Sequence, residues 1–200
     1  METVALRSHA TKPIFIMNKT RLLAFALLLG TCSAGAFAQK DYASYVDPFI
    51  GSGGHGHVFV GANVPFGAVQ LGPNNIFKGW DWCSGYHYSD NIITGFAHNH
   101  VSGTGCSDLG DIALMPYSGD VRTQRGDQNN LANAASSTFS HSNEKCAPGY
   151  YAVKLDNGVN VELTTTERVG FHHYTYTGDG AHRVLIDLDN GVGNSTYESY

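Results

Sequence analysis

YYAVKLDNGVNVELTTTERVGFHHYTYTGDGAHRVLIDLDNG, residues 150–191, decides the fold. Tyr151, Val153 and Leu155 alternate with Ala152 and Lys154, and Val159, Val161 and Leu163 alternate with Asn160 and Glu162. A period of two puts each apolar set on one face of an extended strand. Between the runs, Asp156-Asn157-Gly158 supplies residues that tolerate the positive φ of a tight hairpin. A third strand is expected at about 169–176. The turn Gly178-Asp179-Gly180 then leads to Val184, Ile186 and Leu188, expected on one buried face. Strands with one apolar and one polar face, separated by turns at short intervals, predict an all-β fold, an antiparallel β-sandwich.

Upstream, residues 45–106 are rich in Gly, aromatics and His. Short apolar runs, GAVQLGP (67–73) and NIITGFA (91–97), read as brief strands joined by long loops. Residues 122–138 are polar and read as a surface loop or short helix. The chain stops in NSTYESY, just after a strand and with no capped tail, which reads as a fragment of a longer protein.

From Met17 the chain looks like a secretory signal. Lys19 and Arg21 precede LLAFALLLG (22–30), and Ala36-Phe37-Ala38 is an A-x-A cleavage site. The apolar run is too short to span a bilayer, which takes about 20 residues. Residues 1–38 therefore read as an upstream extension plus signal peptide, the signal at about 17–38, cleaved after Ala38. The product is exported, periplasmic or extracellular, without an integral membrane segment. Thr31 before Cys32 makes a lipid anchor at Cys32 the lesser alternative. Residues 39–200 suffice for one domain with a core.

The net charge is −5 and only 14% of residues are charged. With no basic patch, nucleic acid is an unlikely class of partner. Cleavage leaves Cys83, Cys106 and Cys146, which allow at most one internal disulfide in an oxidising compartment, and their spacing fits no zinc motif.

Three constellations could carry chemistry. SGGHGHVFVGANVPFG (52–67) sets His55 and His57 among glycines that let backbone approach a ligand, although a plain glycine-rich turn would look the same. His55-x-His57 and His98-x-His100 would each point two imidazoles to one side of a strand, so a transition-metal enzyme is one reading. Satisfied polar histidines are the simpler one. Trp80, Trp82, Tyr86 and Tyr88 are interleaved with Asp81, Ser84, His87 and Ser89. Such rings fill a core, but with polar neighbours they also suit a sugar, with its apolar C–H faces and hydroxyl rim. Carboxylate pairs exist in Asp81 with Asp90 and Asp108 with Asp111, where turn-capping is the default role. No residue is assigned catalysis.

VDPFIGSGGHGHVFVGANVPFGAVQLGPN (46–74), GWDWCSGYHYSDNIITGFAHNHVSGTGCSDLGDIALMP (79–116) and GYYAVKLDNGVNVELTTTERVGFHHYTY (149–176) resemble, in order, the N-terminal domain of glycoside hydrolase family 92. The resemblance implies an exo-acting, calcium-dependent, inverting α-mannosidase that cleaves terminal α-mannosidic bonds, α-1,2 first among them, in mannose-containing glycans such as N-glycans. It implies that the sandwich packs on a C-terminal (α/α)6 barrel, absent here. That barrel would supply the catalytic acid and base and hold most of the Ca2+, so this chain alone is expected to be inactive. Carried over onto this sequence, the sugar-contacting residues are Gly53, Gly54, His55, His57, Trp80, Asp81, Trp82, Cys83 and His98. Asn75 stands where the family commonly has an acid, and Asn99 where Thr is usual. The rival from another class is a free-standing carbohydrate-binding module.

Overall fold

The hairpin written into residues 150–165 forms as its pattern dictates. In the computed structural model, which describes residues 40–103, 105–126, 129–188 and 191–192, it joins Tyr150–Leu155 to Val159–Thr165. The signal segment 17–38, Cys32, the Ala38 cleavage site and the NSTYESY tail lie outside the described residues. Gly158 takes φ 86° at the turn, and Asn157 Oδ1 accepts the Val159 N–H. The Asn157 carboxamide also donates to the Pro116 carbonyl, so the turn is pinned to the opposite sheet.

Nine strands are described: β1 Gly72–Asn74, β2 Ile92–Ile93, β3 Gly95–Ala97, β4 Ala113–Ser118, β5 Ser137–Ala147, β6 Tyr150–Leu155, β7 Val159–Thr165, β8 Gly170–Tyr176 and β9 His182–Asp187. They form two antiparallel sheets, ordered β1-β3-β4-β9 and β2-β5-β6-β7-β8. The inner rows pair Tyr151 with Leu163 and Val153 with Val161, and pack against Met115, Tyr117 and Phe96 of the other sheet. Each buried aliphatic side chain here contributes about 1.5–3 kcal/mol. The all-β sandwich expected from the alternation is the fold found.

Three details differ from expectation. Val184, Ile186 and Leu188 do share one side, but it is the outward one: they are 41%, 60% and 60% exposed. β9 instead turns Leu185 toward the core, because an edge strand of a sandwich needs only one apolar side facing in. Residues 122–138 are not all surface: Ala134 and Ala135 are fully buried, and the longest strand, β5, starts at Ser137. β5 escapes a period-two reading because its register slips between Phe139 and Glu144, a bulge that breaks the alternation.

Candidate functional site

Two loops build the site. The segment from Gly51 closes on itself, with Gly56 N–H donating to the Gly53 carbonyl and Val58 N–H to that of Gly51. Gly56 is required there: a Cβ at this position would lie 2.1 Å from the Gly51 carbonyl oxygen, a backbone atom that cannot rotate away. The second loop is a single 3-10 turn over Trp80–Trp82, entered from Gly79 at φ 118°. The tryptophans thus sit on a turn rather than a strand, and their side chains diverge.

Between the loops lies one carboxylate. Asp81 Oδ1 is 2.6 Å from His55 Nδ1 and 3.4 Å from His57 Nε2. The His57 ring meets Trp80 edge-on at 4.2 Å, and the Trp80 indole N–H donates to the Gly105 carbonyl at 2.9 Å. His57 is buried and has φ 53°, a left-handed conformation that costs a non-glycine residue energy and is kept where the surroundings over-determine it. Trp80 is 58% exposed, leaving much of an indole ring beside the carboxylate open to solvent. The hydrogen bond from His55, with a smaller contribution from His57, holds the Asp81 carboxyl below its ordinary range.

Trp82 is fixed from three sides. Its indole N–H donates to Asp90 Oδ2, His87 stacks on it at 4.3 Å, and Lys78 Nζ stands 5.7 Å from its ring centroid. Lys78 also pairs with buried Asp90 at 2.8 Å, while Asp90 Oδ1 accepts the Asn91 and Ile92 N–H groups. His87 Nδ1 accepts the Ser89 N–H, so its Nε2 carries the proton donated to the Gly54 carbonyl. Lys78, His87 and Asp90 therefore position the expected residues Trp82 and Gly54. None carries a sequence signal beyond polarity at the rim of an aromatic run.

The structure thus brings together Gly53, Gly54, His55, His57, Trp80 and Asp81, with Trp82 beside them. Two expected residues differ. Cys83 is 1% exposed and burial pushes its thiol pKa up, so it lies under the turn and not on a ligand-facing surface. His98 turns to β8, where its Nε2 is 3.2 Å from His172 Nε2 and Tyr174 OH is 2.6 Å from His172 Nδ1. His100 is buried, stacked on Phe59, and bonded to the Gln70 carbonyl and the Asn74 carboxamide. The two H-x-H pairs are therefore separate structures, and the four-histidine metal reading is overturned. Among the described residues no three His, Cys, Asp or Glu side chains gather so as to hold a metal ion. Asp108 caps the Leu109 N–H and Asp111 accepts from Asn99, both in structural roles. Of the other two described cysteines, Cys106 is exposed and Cys146 half-buried.

The antiparallel sandwich alone does not specify a family; comparison with known proteins does. Residues 45–200 match the glycosyl hydrolase family 92 N-terminal domain, and the chain belongs to that family. A family GH92 α-mannosidase from Bacteroides thetaiotaomicron, solved alone and with mannoimidazole, superposes with a TM-score of 0.72 at 36% identity, over 75% of this chain and 20% of its own. Another GH92 glycosyl hydrolase gives 0.66 at 28% identity, over 76% of this chain and 21% of its own. A protein described as an uncharacterized secreted glycosidase, from Arthroderma benhamiae, is 30% identical over 81% of this chain and 22% of its own length. The chain spans about a fifth of the relatives it matches.

Two outcomes test this geometry. With His55→Ala, the Asp81 carboxyl loses its main stabilising bond and its pKa is expected to rise toward the ordinary range, read by carboxyl-carbon NMR. Because the Asp81 pKa is depressed, the stability contributed by its bonded carboxylate is fully present above the ordinary carboxylate range and is lost as pH falls through the lowered value. Gly56→Ala is expected to cost about 1–3 kcal/mol by overpacking. It should raise the Asp81 pKa as well, because it displaces His55; a denaturant melt and the same NMR titration check both.

Proposed function

We propose that this chain is the sugar-clamping half of an exported α-mannosidase acting on terminal α-mannosidic bonds of glycans, α-1,2 bonds first. The observation that carries the reading is the exposed Trp80 ring beside an Asp81 carboxylate oriented by His55 and His57. The indole offers a surface to the C–H face of a pyranose, and the carboxylate offers acceptors to its hydroxyls. The α-mannosidase among the relatives and its mannoimidazole complex support this choice of sugar.

Cleavage with inversion needs one carboxyl to protonate the leaving oxygen and a second, about 6.5–9.5 Å away, to activate water. Asp81 is held ionised by two imidazoles, which suits an acceptor and not a proton donor. In this proposal the acid, the base and the calcium ligands belong to a further domain, the (α/α)6 barrel of the family. The great length of the relatives supports that division. The exposed aliphatic row Val184, Ile186 and Leu188 is the surface we assign to contact with it, since apolar rows of this kind mark interfaces.

An assay of the 200-residue chain on α-1,2-mannobiose with calcium checks the division of labour. No hydrolysis above background is expected. Enzyme-like turnover would show that the catalytic pair lies within this chain.

A further inference from the structure

The outer side of an antiparallel sheet is ordinarily polar. On the sheet containing β6, β7 and β8 two aromatic residues interrupt that polar side: Phe171 is 60% exposed and Tyr150 37%. The register pairs Tyr150 with Thr164, and Thr164 with Phe171, so the three form one row across the strands. Neighbouring strands lie about 4.8 Å apart, which places the two aromatic residues about 9.6 Å apart with a threonine between them. One row along, Glu162 is flanked by Ala152 and His173. The small alanine leaves the carboxylate uncovered on that side.

These side chains border a recess of about 340 Å³ lined by Tyr150, Glu162, Leu163, Thr164, Phe171 and His173. That volume lies at the lower end of the range for small-ligand sites, about 300–1,000 Å³. Glu162 is oriented at both oxygens: Tyr150 OH donates to Oε1 at 2.7 Å, and His173 Nδ1 lies 2.9 Å from Oε2. Each oxygen keeps a second lone pair for a ligand hydroxyl. The Tyr150 bond, and then that of His173, hold the Glu162 carboxyl below its ordinary range, so it remains an acceptor in mildly acidic solution. The exposed row on β9 is aliphatic and lacks hydrogen-bonding groups among its named members, whereas this recess combines rings with a fixed acceptor.

We infer that the recess is a second glycan-binding site, which takes one pyranose ring between Tyr150 and Phe171 with its hydroxyls on Glu162. It shares no residue with the Asp81 cluster. Only the choice of mannan as the first probe rests on the proposed function. A site of this kind holds the domain on a polymeric glycan while a chain end is processed elsewhere.

Affinity electrophoresis of the 200-residue chain through native gels carrying soluble mannan, galactan or xylan tests the inference. Retardation is expected in at least one gel. Phe171→Ala should weaken it at least about tenfold and Glu162→Gln at least about threefold, the sizes expected for an aromatic contact and a charge-assisted hydrogen bond. Both positions are surface ones, so both variants should keep the wild-type thermal melt. Asp81→Ala should remain retarded by at least the polymer contact made here. Absence of retardation in all three gels, or wild-type retardation of Phe171→Ala, overturns the inference. Loss of retardation in Asp81→Ala but not in Phe171→Ala also overturns it, and leaves the Asp81 cluster as the glycan site.

Discussion

Glu144→Ala is expected to lower the stability of the domain by about 3–5 kcal/mol, the cost of breaking a buried charged network at one partner. Glu144 sits at the β5 bulge with its side chain wholly buried, and both oxygens are used. Oε1 accepts from Tyr151 OH at 2.7 Å; Oε2 accepts from Tyr86 OH at 2.9 Å and lies 2.8 Å from His141 Nδ1. Tyr86 and Tyr151 are among the largest fully buried side chains. Burial, reinforced by the Glu144 charge, pushes both phenol pKa values far up, so they act only as neutral donors. Removing the carboxylate strands two hydroxyls in the core. Glu144→Gln keeps one acceptor oxygen and is expected to lose less, about 1–3 kcal/mol. Urea unfolding of the three proteins, followed by tryptophan emission, measures both losses against a total that for a domain of this size is about 5–15 kcal/mol.

The same network reaches the functional loops. His141 stacks on Tyr88 at 4.2 Å, and Tyr88 donates its N–H to the Ser52 carbonyl, one residue before Gly53. Loss of Glu144 should therefore loosen the loop that carries His55 and His57.

Much of the sandwich was legible because its signal is local. The alternation in β6 and β7 and the Asp156-Asn157-Gly158 turn are properties of adjacent residues, and they pair as read. β9 shows the limit: alternation reveals that Val184, Ile186 and Leu188 share a side, but only the neighbouring sheet decides that the side faces out. β5 was illegible because the bulge that buries Glu144 destroys the period. The site divides in the same way. Glycine density pointed to the Gly53–His57 loop, and the aromatic run to Trp80–Trp82. That Asp81 joins them, that His98 goes to His172, and that Cys83 lies beneath the turn depend on contacts across tens of residues. Nor does any local pattern distinguish Asp90, a buried partner of Lys78 and Trp82, from Asp81 nine residues earlier.

Asp81→Ala is expected to weaken binding of methyl α-mannoside at least about tenfold, the effect of losing a charge-assisted acceptor. The loss has two sources. In the proposed site the carboxylate accepts from ligand hydroxyls; it also orients His55 and His57, the second of which sits edge-on against Trp80. Asp81→Asn keeps one acceptor oxygen but no charge, and should fall between the variant and the wild type. Isothermal titration of the three proteins ranks them.

The chain has only two tryptophans, and both lie on the Trp80–Trp82 turn. Its tryptophan emission under native conditions therefore originates at the candidate site. Titrating the chain with methyl α-mannoside while recording tryptophan emission tests the central claim directly. A saturable change that is preserved in Phe171→Ala and moved to at least about tenfold higher sugar concentration in Asp81→Ala is the predicted result. Emission that stays constant to saturating sugar, or that changes identically in Asp81→Ala, would contradict the assignment of the Trp80 and Asp81 wall to mannose.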